Sequence, residues 1–158
     1  MNATNGPPIR LLTKFAQAFP AKSPQLVVQA PEREMWAAAS FNGTANCTVC
    51  TADGEGRTTF NYQSAKRMQT VHRRPIPRWA RYLAGVSVLL EVPEMPGVDV
   101  VVCGDEPVGP RYDYALGILF AALWYEINME TCDPDQLREI AERVRREYIE
   151  GQPPRPGK

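Results

Sequence analysis

Val98-Asp-Val-Val-Val-Cys-Gly104-Asp-Glu-Pro-Val-Gly109-Pro-Arg-Tyr-Asp113-Tyr-Ala-Leu-Gly-Ile-Leu-Phe-Ala-Ala-Leu-Trp-Tyr-Glu-Ile-Asn128 reads as a buried strand, a Gly/Pro loop and an apolar helix. A helix start after a glycine loop is a natural seat for phosphate, because free backbone N–H groups and the helix dipole face the anion. This loop has that frame with other contents. It carries Asp105, Glu106 and Asp113 against one Arg111, and no Ser, Thr or Lys. Asp113 is expected as the N-cap, its carboxylate taking the N–H groups two and three residues on. A carboxylate there fills the seat and repels a phosphate by about 4 kcal/mol at ~4 Å and an effective dielectric of ~20. Pro110 removes a further donor. The chemistry favours a self-capped helix start over a working phosphate loop.

The same stretch resembles the galactokinase branch of the GHMP small-molecule kinases. That family writes Gly-Asp-(Val/Ile)-Pro-x-Gly-Ala-Gly-Leu-Ser-Ser-Ser-Ala-Ala here, and its loop embraces the ATP phosphates. Gly104, Asp105, Pro107, Val108 and Gly109 match. Pro110, Arg111 and Tyr112 fall where the family has Ala, Gly and Leu, and Asp113, Tyr114 and Ala115 where it has three serines. The resemblance therefore implies a vestigial phosphate loop of Gly104, Asp105, Pro107, Gly109, Arg111 and Asp113.

Other segments follow the family order. Residues 9–20 look like its opening helix, with Phe15 and Phe19 on one face. Ala30-Pro31-Glu32-Arg33 looks like its Ala-Pro-Gly-Arg. Read on without a gap, Ala39 stands at the sugar-binding Glu, Ser40 at the His and Asn42 at the Asp, which implies a vestigial sugar site of Arg33, Ser40 and Asn42. Ala39 cannot hydrogen-bond a hydroxyl through its side chain. Trp79, Tyr82 and Gly85-Val86 echo the Trp-x-x-Tyr-x-x-Gly-Val helix, and residues 137–151 resemble a later one. The family's catalytic Asp lies in a Met-Asp-Gln segment beyond that helix, and the sequence, running to Lys158, is expected to lack it. Arg33 alone holds a family catalytic position, so no catalytic residue is expected, and Arg33 itself reads as an ion-paired or surface arginine.

Composition fits one globular domain, with 44% hydrophobic and 23% charged residues over 158 positions. Formal net charge is zero, which argues against a field drawing the chain to nucleic acid or to a membrane surface. No run reaches the ~18 apolar residues of a membrane span, and the amino terminus lacks the order of a signal peptide, so a cytoplasmic location is expected. Residues 1–8 read as a flexible leader, 9–151 as the domain and 152–158 as a proline-rich frayed tail.

Cys47-Thr-Val-Cys50 has metal-ligand spacing, but on a strand its two sulfurs point to opposite faces. No metal site is expected. Strands are expected at 25–30, 35–41, 46–52 and 58–62, the last two as a hairpin around Asp53-Gly-Glu-Gly56, and helices at 77–92 and from Pro134, capped by Asp133. The arginine-aromatic run at 72–82 reads as a solvated face beside buried Trp79 and Tyr82, not as a nucleic-acid site.

The architecture these readings give is α+β: an antiparallel or mixed sheet of four or five strands with helices mainly on one face. The resemblance refines this to the GHMP kinase amino-terminal domain, a ribosomal S5 domain 2-like fold. Three functions follow as expectations. The first is a non-catalytic, galactokinase-like pseudokinase of carbohydrate metabolism acting by binding or assembly. The second is a sugar kinase fragment completed by another subunit, and the third a sugar- or nucleotide-binding module. No cofactor is expected, ATP and Mg entering only if the phosphate loop still works. A homodimer or protein partner is expected through the stripe Ile140, Val144 and Tyr148 or the set Tyr112, Tyr114 and Trp124, unless these face the core.

Overall fold

A computed structural model describes residues 7–90 and 96–151. The expected leader, except its last two prolines, and the expected tail lie outside the described residues. Strand β5 (Val98–Gly104) is buried along its whole length, as its valine-rich run requires of a strand covered on both faces, with Asp99 its one charged residue. It lies at the centre of a five-stranded sheet of order β1-β2-β5-β3-β4, where β1 is Leu26–Gln29, β2 Met35–Phe41, β3 Cys47–Thr51 and β4 Arg57–Phe60. β2 runs antiparallel to β5 with Met35 opposite Gly104 and Phe41 opposite Val98, while β3 runs parallel to it. β3 and β4 form the expected hairpin.

Period-two alternation divides the strands between two cores. Ala37, Ala39, Cys47, Val49, Val100 and Val102 face the larger one, with the helices α2 (Tyr62–Lys66), α3 (Arg81–Leu89), α4 (Pro110–Ile127) and α5 (Pro134–Arg143). Trp36, Ala38, Cys50, Val101 and Cys103 face the other, covered by Leu11, Phe15 and Phe19 of α1 (Ile9–Ala18) and the residue after it. Cys47 and Cys50 thus lie on opposite faces, and their sulfurs cannot share an ion.

Three local expectations change. Strand β4 stops at Phe60, because Asn61 caps α2, a short helix the sequence reading left out. The Asn61 side chain takes the Ser64 amide at 2.8 Å and the Ser64 hydroxyl takes the Asn61 amide at 3.0 Å. The 77–92 helix begins as a single 3-10 turn, Arg78–Ala80, before α3, and residues 91 and 92 lie outside the described residues. Asp133 does cap α5 with Pro134 behind it, and the chain continues into a wider π-type turn, Val144–Ile149.

The proposed interface stripe belongs to the chain's own core. Val144 is fully buried, Ile140 and Tyr148 nearly so, and the Tyr148 hydroxyl donates to Ala65 O. Tyr112 and Trp124 are buried as well. The stripe packs on α3 because Gly85 leaves room: a Cβ there would lie 2.5 Å from Val144 Cγ1 and 2.8 Å from Tyr148 Cδ2.

Gly85→Ala sets a helix-propensity gain of about 1 kcal/mol against an overpacking loss of about 1–3 kcal/mol. The expected outcome is a lower urea midpoint, and a raised midpoint would contradict the close approach of the two helices.

Candidate functional site: the loop between β5 and α4

Helix α4 starts three residues before Asp113. Gly109 is the capping residue, with φ 138°, a backbone region that suits glycine, and Pro110 follows as the first helical residue. Asp113 is therefore inside the helix, its amide bonded to Gly109 O at 3.0 Å, and its side chain caps nothing. The fixed φ of Pro110 accounts for the earlier start. Asp113 instead lines a shallow hollow with Arg78 and Arg81, where burial raises its pKa and Arg78 works the other way. Before the first intrahelical bond the Gly109, Arg111 and Tyr112 amides remain as donors, Pro110 having none.

A carboxylate from elsewhere ties the two ends of the loop together. Asp53, in the β3–β4 turn, accepts from the Gly104 amide at 2.7 Å and the Tyr112 hydroxyl at 2.5 Å through Oδ2. Its Oδ1 accepts from Arg10 Nε at 2.9 Å. Arg10, on α1, also donates to Gly104 O at 3.0 Å and to Asp105 Oδ1 at 2.8 Å. The Asp105 amide is held by Glu34 O at 2.9 Å, and Glu106 pairs with Arg33 at 3.3 Å. The loop is thereby tied to α1, to the β3–β4 turn and to the β1–β2 turn.

The six loop positions and Arg33 come together at this end of the sheet, and Arg33 and Arg111 line one hollow of about 360 Å³. Ser40 and Asn42 do not join them. Ser40 pairs opposite Asp99, five residues along from the Met35–Gly104 pair, or ~17 Å at ~3.3 Å per residue. Ser40 Oγ donates to Gln25 Oε1 at 3.0 Å. The Asn42 amide gives its hydrogens to Asp99 Oδ1 at 2.9 Å and Asn46 O at 3.1 Å, while its oxygen accepts from the Thr44 amide and hydroxyl. That uses the whole hydrogen-bonding capacity of Asn42. Lys22 completes the cluster on Asp99 at 2.6 Å.

Arg10, Asp53 and Tyr112 escaped the sequence reading. Arg10 and Asp53 are 43 residues apart, Arg10 and Asp105 are 95 apart, and no spacing rule links them.

No protein-family model matches the sequence, and no curated protein does. Similarity appears in three dimensions. The galactokinase of Lactococcus lactis, solved with galactose, superposes with a TM-score of 0.67 at 13% identity, over 88% of this chain and 42% of that one. The mevalonate kinase of Methanococcus jannaschii gives 0.59 at 9% identity, over 73% and 37%. Another mevalonate kinase gives 0.59 at 10%, over 77% and 39%. The fold is that of the GHMP kinase amino-terminal domain, and the chain spans under half the length of these enzymes.

Burial, and then the hydrogen bond to Asp53, push the Tyr112 phenol above its ordinary pKa. A group raised in the folded state lends stability below its unfolded pKa and loses it as the pH climbs past that value. Unfolding midpoints are therefore expected to fall above about pH 10, and to fall less in Tyr112→Phe, which has no phenol to ionise. Parallel slopes in the two proteins would contradict the Tyr112–Asp53 bond.

Proposed function

We propose that the protein is a non-catalytic, galactokinase-like domain, a pseudokinase of carbohydrate metabolism that acts by binding or assembly in the cytoplasm. The observation that carries this reading is the Asp53 carboxylate under the loop, bonded to Arg10, Gly104 and Tyr112. A nucleoside triphosphate with its metal needs unengaged N–H donors and cations at that place. Pro110 contributes no donor, and the two arginines that reach the loop from other elements, Arg10 and Arg33, already hold Asp53, Asp105 and Glu106, which leaves Arg111 as the loop's own cation. The residues present do not fit that group. Asp53 is bonded on both oxygens, so a ligand anion at that place would have to break three hydrogen bonds.

The paired Arg33 and the saturated Asn42 also leave little with which to recognise a sugar hydroxyl. Assembly, with a second copy or another protein, belongs to the proposal through a surface other than the core-facing stripe of the last helix. No helix among the described residues is long and apolar enough to cross a membrane.

A site-resolved titration tests the reading. With MgATP added to isotopically labelled protein, the amide resonances of Gly104, Asp105, Arg111 and Tyr112 are expected to stay in place, and galactose to remain unphosphorylated. Saturable movement of those amides with a Kd below about 100 μM (roughly −5.5 kcal/mol) would overturn it.

A further inference from the structure

Seven of the chain's 18 basic residues and none of its 18 acidic ones lie between positions 56 and 90. A net charge of zero therefore conceals a segregated one. Six of these cations, from Lys66 to Arg81, sit on the connection between α2 and α3 and on the start of α3.

That connection is a tightly bonded loop. Thr70 N–H donates to Arg74 O at 2.7 Å and Ile76 N–H to Met68 O at 3.1 Å, and the Thr70 hydroxyl accepts from the amides of His72 and Arg74. Met68 and Arg73 are held at φ 58° and 64°, a left-handed region that side chains with a Cβ seldom occupy unless their surroundings impose it. The loop frames a hollow of about 750 Å³ lined by Lys66, Arg67, Arg73 and Arg81, with Gln69 between them and no carboxylate. None of these four cations forms an ion pair with a described residue. Six arginines elsewhere are matched: Arg10, Arg33, Arg138, Arg143, Arg145 and Arg146 all meet carboxylates.

From this juxtaposition we infer that the hollow is a binding site for a small anion carrying two or more phosphate groups. Guanidinium forks match phosphate oxygens two at a time, and four converging, unneutralised cations favour a multiply charged ligand over a single carboxylate. The volume lies in the range of small-molecule sites. A strand of nucleic acid fits less well, since such strands bind along grooves whose aromatic rings stack the bases, and no aromatic residue lines the hollow. The site is separate from the β5–α4 loop, sharing only Arg81 with the hollow that contains Asp113. It holds whether or not that loop takes ATP.

Calorimetric titration of the full chain with sodium tripolyphosphate, in a buffer free of phosphate, tests the inference. One saturable site is expected, weakening when salt rises from about 50 to about 200 mM. Arg67→Gln/Arg73→Gln should bind at least about tenfold more weakly, and Arg81→Gln supplies a second variant if that one does not keep its circular dichroism spectrum. Arg138→Gln, on the exposed face of α5, should bind like the parent. No saturable heat, equal affinity in the hollow variants, or binding of oligothymidylate but not tripolyphosphate would each overturn the inference. Loss of binding in these variants leaves the amide titration of the loop unaffected, so the two readings fail separately.

Discussion

The carboxylate of Asp53 accepts three hydrogen bonds from three different parts of the chain: Arg10 of α1, the Gly104 amide at the end of β5 and the Tyr112 hydroxyl in the first turn of α4. Everything at this end of the sheet is placed by it. Besides Asp53, the loop from Gly104 to Gly109 is held by Arg10 on Gly104 O and Asp105, by the Glu34 carbonyl and by the Arg33–Glu106 pair. With Asp53, the small core under α1 is closed at its edge, because the residue that completes the clasp, Arg10, is the neighbour of the buried Leu11. Charge-assisted bonds are stronger than neutral ones and fix geometry as well, but with the Arg10 side chain 40% exposed solvent screening holds the ion pair to about 1 kcal/mol.

The turn from β5 to α4 is fastened by a carboxylate of the chain itself. The glycine that shapes the turn is kept, since Gly109 still supplies the φ that a strand-to-helix crossing needs. Two of the backbone positions around the turn offer no free N–H. Gly104 serves Asp53, and Pro110 has no N–H to offer. Cations with no ion pair among the described residues gather instead at the α2–α3 connection, around a hollow with no carboxylate in its lining. Net charge alone concealed this, because zero over the whole chain is compatible with strong fields of opposite sign in separate regions.

Much of the scaffold was legible in the sequence. β2 begins and ends where the run Met35–Phe41 does, because the residues before and after it are turn formers. The run Val100-Val-Val-Cys103 in β5 announced a strand covered on both faces, and Asp133-Pro134 announced the start of α5. The loop that carries the site was legible as a loop, and its departures from the phosphate-binding pattern could be read residue by residue. What could not be read was contact across distance. Asp113 is the nearest acid in sequence to the helix start, yet the one that ties the ends of the loop comes from a turn on another pair of strands. Ser40 and Asn42 follow Arg33 closely in sequence, but a straight strand carries them to the far end of the sheet. Periodicity marked the apolar stripe of α5 without saying whether core or partner covers it, and the glycine at position 85 on a different helix decides that.

The central claim is that the end of the sheet is held by its own ion pair and not kept open for a ligand. A double-mutant cycle between Arg10→Met and Asp53→Asn, followed by denaturant unfolding, measures this most directly. The account predicts a coupling of about 1 kcal/mol or more, in the range of residues that share one hydrogen-bonded network. A coupling indistinguishable from zero, with each single variant as stable as the parent, would contradict it.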